Sequence, residues 1–258
     1  MKAKKLLVIS LAVICVIAVL LSCFFIFSVK DVKTSYSVSE GKDVSGIEQT
    51  LENYVGKNLL FLDLDDVKKD LAQYPYFEVV SIEKDFPNVI NLTLKERREI
   101  YYFEKDSKTY LLDQTGFVLC EKDSTSFVPD SDHIKLDFNG ITVNNISVGS
   151  IVSTDRDELV KTVFEMAVAV RLTDCINTVA IQYEPENVEA HFMTDTGVKI
   201  NVWNPENLGK EKIVKAFEFY DGLDDYYKSF DEIVGFYNEL EGVVDADWSD
   251  NVYGDDNV

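Results

Sequence analysis

A long uncharged apolar segment lies near the start of the chain and restricts how the rest can be arranged. Residues 6–27 read LLVISLAVICVIAVLLSCFFIF and contain no charged side chain. As an α-helix the segment would be about 33 Å long, at roughly 1.5 Å per residue, which matches a bilayer hydrocarbon core of about 30 Å. Lys2, Lys4 and Lys5 precede it, and the positive-inside bias places such residues in the cytoplasm. The sequence therefore predicts a cytoplasmic tail over residues 1–5, a single transmembrane helix over Leu6–Phe27, and an extracytoplasmic remainder.

A cleaved signal peptide is the alternative reading of the same segment, because it also has a basic start and an apolar middle. The apolar part of a signal peptide is usually about 7–15 residues long and ends in a small-x-small cleavage site. Here the run is longer, and it ends in the bulky residues Phe24, Phe25, Ile26 and Phe27. The pattern therefore favours the membrane anchor.

Charge and composition exclude some partners for the rest of the chain. The net charge is −21, whereas binding to nucleic acid needs a basic surface. An anionic membrane surface would also repel the extracytoplasmic part, so the predicted helix carries the membrane attachment. The apolar content of 46% is sufficient to fill a core. Cys120 and Cys175 could form one disulfide, although each is more typical of a small apolar residue that packs alone.

The first predicted module has the element order β-α-α-β-β. Apolar residues in its helices recur at helical spacing, and those in its last strand alternate. Two helices on one face of three strands would bury both patterns. The predicted elements are a strand over Val32–Val38, a helix opened by a Ser45–Glu48 capping box, a helix capped by Asp63, and strands over Phe77–Lys84 and Val89–Arg97.

The module carries a set of short motifs in a fixed order: Gly56-Lys57-Asn58-Leu59, Asp63, Tyr74-Pro75-Tyr76-Phe77-Glu78-Val79, Ile82-Glu83-Lys84-Asp85-Phe86-Pro87 and Lys95-Glu96-Arg97. Their spacing resembles a POTRA domain, here assigned to residues 32–98. Together with the anchor directly before it, the arrangement is similar to the FtsQ/DivIB family of bacterial division proteins. Asn58, Asp63, Pro87 and Glu96 are expected to shape caps and turns and not to form a site.

The second predicted module, residues 99–250, is richer in strands. Its turn Asp113-Gln114-Thr115-Gly116 resembles the hairpin with which the β domain of this family begins. We expect a mixed β domain with an antiparallel sheet and flanking helices, so the fold class is α+β. The predicted elements are strands over Tyr101–Glu104, Thr109–Asp113, Phe117–Glu121, His133–Phe138, Thr178–Tyr183, Val188–Met193 and Val198–Val202, a helix capped near Thr154, and a helix around Gly209–Leu223.

The C-terminal part departs from the family pattern. Phe230–Leu240 is predicted to be a short helix or a loop, within a stretch, Ser229–Glu241, that looks like an insertion. Gly242–Trp248 alternates partly and is predicted to be a last strand on the edge of the sheet. Residues 251–258 are acidic and are predicted to form a disordered tail.

No pattern of catalytic or metal-binding residues stands out. The two histidines, His133 and His191, each lie beside a predicted strand, without a histidine or cysteine at ligand spacing. The chain also lacks the G-x-S-x-G, Walker and H-E-x-x-H motifs. We therefore expect no catalytic residue, no metal and no cofactor, and we do not expect an enzyme.

The resemblance implies a non-enzymatic scaffold in the membrane at the division septum. It also implies binding of coiled-coil division proteins of the FtsB/DivIC and FtsL type through the β domain. Addition of a partner strand to the free sheet edge is the expected mechanism, and proline at Val244 is expected to weaken it. The residues expected to bind the partner are Val243, Val244, Asp245, Ala246, Trp248, Tyr226 and Tyr227.

Two alternatives belong to other functional classes. A membrane-anchored enzyme acting on cell-wall glycan would use a pair of carboxylates and would need a cleft with an acid of raised pKa. A POTRA-containing transport factor is a weaker alternative, because the strands expected of an outer-membrane barrel are missing from the sequence.

Overall fold

The structure is a computed structural model that describes residues 2–37, 43–169, 176–185, 187–195, 197, 199–207, 214, 220, 222, 232–237 and 244–248. For residues 2–9, 20, 207, 232–237 and 244–248, only the backbone is described. The predicted helix over Gly209–Leu223, apart from three single positions, and the predicted acidic tail lie outside these residues. Tyr226, Tyr227, Val243 and Cys175 also lie outside them.

The first helix, α1, spans Lys2–Ile26. Its described apolar side chains are exposed: Leu11, Ile14 and Phe25 have 61%, 61% and 69% of their surface accessible. Within the part of the chain that the structure describes, no helix is both long enough and apolar enough to cross a membrane. The transmembrane assignment of Leu6–Phe27 therefore stays a prediction.

The chain divides into two compact units, Met1–Arg97 and Arg98–Val258. The first unit contains α1 and then the β-α-α-β-β order predicted from the sequence. Its three-stranded sheet has the order β1-β3-β2, in which β1 is parallel and β2 antiparallel to β3. After α1, its elements are β1 (Asp31–Ser37), α2 (Ser45–Glu52), α3 (Leu64–Leu71), β2 (Phe77–Asp85) and β3 (Val89–Glu96).

Two helices and one face of the sheet enclose the core of the first unit. Leu92 and Leu94 on β3 are each 1% exposed, because every second side chain of the strand faces the helices. Ile47 on α2 and Val67 on α3 pack into the same cluster. The predicted layer of two helices on one sheet face is therefore confirmed for this unit.

The two helix starts of the first unit differ in how well the sequence predicts them. Asp63 caps α3 as predicted, since its carboxylate accepts a hydrogen bond from the Asp65 backbone N–H at 2.9 Å. The predicted Ser45–Glu48 capping box is wrong, because α2 begins at Ser45 itself, after Val44, without a side-chain cap. The Asp43 carboxylate instead accepts a hydrogen bond from the Ser45 N–H at 2.9 Å. A nearby acid has displaced the hydroxyl from that role.

The second unit is built on a nine-stranded sheet of order β14-β13-β12-β11-β10-β7-β4-β5-β6, with a separate two-stranded ribbon β8-β9. Its strands are β4 (Tyr101–Lys105), β5 (Lys108–Leu112), β6 (Val118–Asp123), β7 (Ile134–Asn139), β8 (Val143–Asn145), β9 (Ser153–Thr154), β10 (Ile176–Glu184), β11 (Asn187–Thr194), β12 (Lys199–Trp203), β13 (Glu232–Tyr237) and β14 (Val244–Trp248). Helix α4 (Asp157–Ala169) lies between β9 and β10 in the chain.

Two predictions for the second unit require correction. The large sheet is mixed and not antiparallel, since β4 pairs with β7, β7 with β10, and β12 with β13 in parallel. The predicted antiparallel meander of β10, β11 and β12 is confirmed within it. Phe230–Leu240, predicted to be a helix or a loop, contains strand β13. The strand pairs with both β12 and β14, a place that suits its β-branched and aromatic residues.

The predicted helix near Thr154 is confirmed as α4. Its carboxylate cap comes from Asp157, which accepts hydrogen bonds from the backbone N–H and the hydroxyl of Thr154. Val163 and Phe164 are 0% and 3% exposed, and they pack with the inward side chains of the sheet. Helix α4 therefore packs on the apolar face of the sheet, and the two together enclose the core of the second unit.

The turn between β5 and β6 is held by one buried carboxylate. Asp113 is 4% exposed, and its Oδ1 accepts hydrogen bonds from the Thr115 N–H at 2.8 Å, the Thr115 hydroxyl at 2.6 Å and the Phe117 N–H at 3.0 Å. The Gly116 N–H also donates to the Asp113 carbonyl at 3.0 Å. The turn predicted at Asp113–Gly116 is thus confirmed.

Replacing Asp113 with alanine is expected to lower the free energy of unfolding by about 2 kcal/mol, since it removes the charged acceptor of three hydrogen bonds from Thr115 and Phe117. Asp113→Asn retains one acceptor oxygen and should lose less. Urea denaturation of the two variants and the unchanged protein would measure both effects. An Asp113→Ala variant within about 0.5 kcal/mol of the unchanged protein would contradict this role.

Candidate interaction surface

The C-terminal strand β14 forms one edge of the nine-stranded sheet. It pairs antiparallel with β13 from Ile233↔Trp248 to Tyr237↔Val244, and the sheet has no further strand beyond it among the described residues. Four of the predicted binding residues, Val244, Asp245, Ala246 and Trp248, lie on this strand. An edge strand presents a row of backbone N–H and C=O groups that another chain can pair with. Val243, Tyr226 and Tyr227, the other predicted binding residues, lie outside the described residues.

Strand β13 places β14 at the edge, and sequence reasoning missed it. Its residues, Glu232–Tyr237, read EIVGFY and have high β-propensity apart from the glycine. They pair in parallel with β12 from Lys199↔Glu232 to Val202↔Gly235. The signal that could have found the strand was this run of β-branched and aromatic residues, which the interpretation as an insertion overlooked.

The opposite edge of the sheet, β6, is partly covered. The Val118 N–H donates to the Ser150 carbonyl, and the Val118 carbonyl accepts from the Gly149 N–H, each at 2.9 Å. The rest of the strand carries Glu121, Lys122 and Asp123, and charges on an edge strand discourage pairing with another chain. Strand β14 also carries two acids, so the two ends of the sheet differ in the hydrogen bonds to Val118 and not in having charged side chains.

The three-stranded sheet of the first unit also has two edges, β1 and β2. Strand β2 carries a bulge between Val79 and Ser81, and the Val80 side chain at the bulge is 57% exposed. A bulge interrupts the regular spacing that strand addition needs. Strand β1 continues its pairing with β3 without interruption over Asp31–Ser37.

The two histidines each lie beside carboxylates. The His133 Nε2 atom is 3.3 Å from Glu99 and its Nδ1 atom is 2.5 Å from Asp130, while the His191 Nε2 atom is 2.6 Å from Glu189. Across the described residues, no group of three or more histidine, cysteine, aspartate or glutamate side chains has the geometry to hold a metal ion. These pairs therefore fit a role in fastening strands and loops.

The acids with altered pKa values show the opposite of what a general acid requires. Hydrogen bonds from Ser45 and from Thr125 lower the pKa values of the Asp43 and Asp123 carboxyl groups. Burial of Glu189 disfavours its charged form, but hydrogen bonds from His191 and Asn187 outweigh this and lower its pKa as well. Groups of this kind remain ionised at neutral pH, whereas a catalytic proton donor needs a raised pKa.

A cavity of ≈ 490 Å³ runs along α4. Val160 and Phe164 are among the apolar residues that line it, with the exposed side chains of Ile151 and Val168 beside them. Lys161 and Glu158 add charge to the same lining. The cavity is therefore an apolar space of the second unit with polar groups along it.

Comparison with known proteins defines the class of the first unit. Residues 44–97 match the family described as "POTRA domain, FtsQ-type". This range contains α2, α3, β2 and β3. The chain is thus a POTRA-containing protein.

Relatives over a longer part of the chain carry names from cell division. The chain is 28% identical to the cell division protein DivIB of Clostridium tetani over 194 residues, which cover 75% of this chain and 69% of the relative. It is 28% identical to DivIB of Clostridium acetobutylicum over 149 residues, which cover 57% and 56%. It is 33% identical to the cell division protein FtsQ of Agrobacterium fabrum over 95 residues, which cover 36% and 29%. Over these ranges the chain is similar to cell-division proteins named DivIB and FtsQ.

Proposed function

We propose that this protein is a membrane-anchored, non-enzymatic scaffold of the bacterial division septum. It binds division proteins of the FtsB/DivIC and FtsL type by adding one of their strands to β14. The observation that carries the proposal is the difference between the two ends of the nine-stranded sheet. Strand β14 has no strand beyond it among the described residues, whereas hydrogen bonds from the 149–150 segment occupy the start of β6 at Val118.

Strand addition suits this edge because it uses groups that every peptide has. Backbone hydrogen bonds supply affinity, while the side chains on either side of the added strand supply specificity. The partner strand would run beside Val244–Trp248. Trp248 is the residue of this strand whose type most often dominates binding energy at interfaces.

The membrane anchor is proposed from the uncharged apolar run of the sequence and from the exposed apolar side chains of α1. The helix spans Lys2–Ile26, and residues 6–27 contain no charge. Leu11, Val13 and Val19 lie on different sides of the helix and are each more than half exposed, so the apolar surface is not covered by the rest of the protein. A lipid environment would cover it on all sides. The three lysines before the apolar run support a cytoplasmic N-terminus.

Proline at two neighbouring positions of β14 tests strand addition. Adjacent residues of a strand point their N–H groups to opposite sides, so one of Val244 and Asp245 faces β13 and the other faces the open edge. The variant that loses the outward N–H is expected to bind the partner at least about tenfold more weakly while its melting temperature is unchanged. The other variant should lower the melting temperature instead.

Binding would be measured by titrating the extracytoplasmic parts of the DivIC-type and FtsL-type proteins of the same bacterium onto each variant. Wild-type affinity in both Val244→Pro and Asp245→Pro would exclude β14 as the binding edge. A fluorescent fusion at the N-terminus tests the wider proposal. A band at mid-cell before constriction supports a septal scaffold, and a uniform signal with normal division after depletion contradicts it.

A further inference from the structure

A small group of exposed apolar side chains lies in two loops of the first unit, beside the C-terminal end of α1. We infer that Leu60, Phe61 and Phe86, here called the apolar rim, insert into the surface of the bilayer that holds α1. Their exposed fractions are 45%, 86% and 54%. The inference rests on the proposed function, because it requires α1 to be in a membrane.

The structure ties both loops of the apolar rim to the residues that directly follow α1. The Leu59 N–H donates to the Phe27 carbonyl at 2.7 Å, and the Val29 N–H donates to the Lys57 carbonyl at 2.8 Å. Ser28 and Asn58 also form an antiparallel bridge. The loop that carries Leu60 and Phe61 is therefore fastened beside the helix end.

The second loop, between β2 and β3, is fastened to the same place. The rings of Phe27 and Phe86 pack edge to face with centroids 6.1 Å apart. The Lys30 N–H donates to the Asn88 carbonyl at 2.8 Å. Phe86 thus stands against the last residue of the apolar run.

Distances along the chain put the apolar rim at the depth of the lipid headgroups. The interfacial layer on each side of the hydrocarbon core is about 5–7 Å thick, and an interfacial apolar surface is buried by about 5–10 Å. Phe61 comes two residues after Leu59, which is at most about 7 Å of chain. A domain held this close to the bilayer by several hydrogen bonds has little freedom to lift the apolar rim away from it.

The surface around the apolar rim has no excess of basic residues, so its binding to the bilayer depends on apolar side chains and not on charge. Three lysines, Lys30, Lys57 and Lys84, lie in or beside the segments that carry the apolar rim, and three acids, Asp31, Asp63 and Asp85, match them in number. Attraction to anionic lipids would need a clear excess of basic residues. The contact is therefore expected with zwitterionic and anionic lipids alike.

Depth-dependent quenching of tryptophan tests the inference in the full-length chain. Phe61→Trp and Phe86→Trp would each be reconstituted into phosphatidylcholine vesicles whose acyl chains carry bromine near the headgroup. The matched control is Val80→Trp, which is also exposed and lies on β2 six positions before Phe86, about 20 Å along the strand. The emission of Trp203 and Trp248 would be subtracted with the unchanged protein.

Both rim variants are expected to lose at least about half of their added emission in brominated vesicles, since their indoles would lie within the interface. Val80→Trp should keep its emission, and vesicles containing phosphatidylglycerol should give the same pattern. Quenching of either rim variant no stronger than that of Val80→Trp would overturn the inference. Flotation of the vesicles separates the two proposals: a chain that fails to float with them has no anchor, whereas one that floats unquenched has an anchor without the rim contact.

Discussion

Alanine at Gly140 is expected to lower the free energy of unfolding of the second unit by about 3–4 kcal/mol. Gly140 follows the last residue of β7 and has φ of +72°. An added Cβ would lie 2.1 Å from the Tyr183 carbonyl oxygen on β10, which is backbone and cannot rotate away. The left-handed backbone costs a side chain roughly 1–2 kcal/mol, and overpacking costs roughly 1–3 kcal/mol more.

Gly197 provides a matched control for this effect. Its φ of +89° is equally unsuited to alanine, but among the described residues no atom beyond its chain neighbours lies within 4 Å of the added Cβ. Gly197→Ala should therefore show only the backbone cost of about 1–2 kcal/mol. Thermal and urea unfolding of both variants would measure the difference. Equal losses for the two glycines would mean that the contact with Tyr183 adds nothing.

Alanine at Phe164 is expected to cost about 3–5 kcal/mol, because it removes a buried ring whose neighbours cannot close the space. Phe164 is 3% exposed, and its ring stacks on Tyr101 with centroids 5.1 Å apart. The same ring lies against Gly116, where an added Cβ would be 2.5 Å from it. The substitution would therefore enlarge the cavity along α4 and loosen the turn held by Asp113.

Val168, one turn later on α4, is the control for this prediction. It borders the same cavity but is 46% exposed, so Val168→Ala should change the free energy of unfolding by less than about 0.5 kcal/mol. Chemical denaturation would compare the two variants. A loss below about 1 kcal/mol in Phe164→Ala would show that the core closes around the missing ring.

Local pattern was a sound guide to the first unit. The strand β3 alternates apolar and polar residues, and the structure buries Ile90, Leu92 and Leu94 as that alternation requires. Asp63 also capped a helix where its position suggested. The sequence predicts Ser45 as the cap of α2, whereas the helix begins at Ser45 itself and the Asp43 carboxylate accepts from its N–H. Both side chains are suited to a helix N-terminus, and the local pattern does not decide between them.

The order of strands in the second unit was beyond reach of local pattern. Whether β4, β7 and β10 run in parallel is decided by where the connecting segments cross the sheet, and a strand has the same alternation in either direction. The two-residue strand β9 is too short to leave a pattern at all. The ribbon it forms with β8 is fastened by hydrogen bonds between Thr142 and Asp155.

The candidate surface was half predictable for the same reason. Partial alternation in Gly242–Trp248 indicated a strand, and the structure has β14 over Val244–Trp248. Its neighbour β13 has Gly235 in the middle and no strict alternation, so it was not recognised. Which strand forms the edge depends on the spatial order of all nine strands, and that order is known only from the assembled sheet.

The parallel pairing of β1 with β3 gives the first unit a particular mechanical character. Strand β1 follows closely after α1, while the end of β3 leads on to the second unit. Tension between a membrane and a partner on the second unit would therefore pull the two strands past each other along their length. Pairs from Asp31↔Val89 to Ser37↔Lys95 would bear that load together instead of parting one after another. Under the proposed function, a constricting septum would load the unit along the length of these two paired strands.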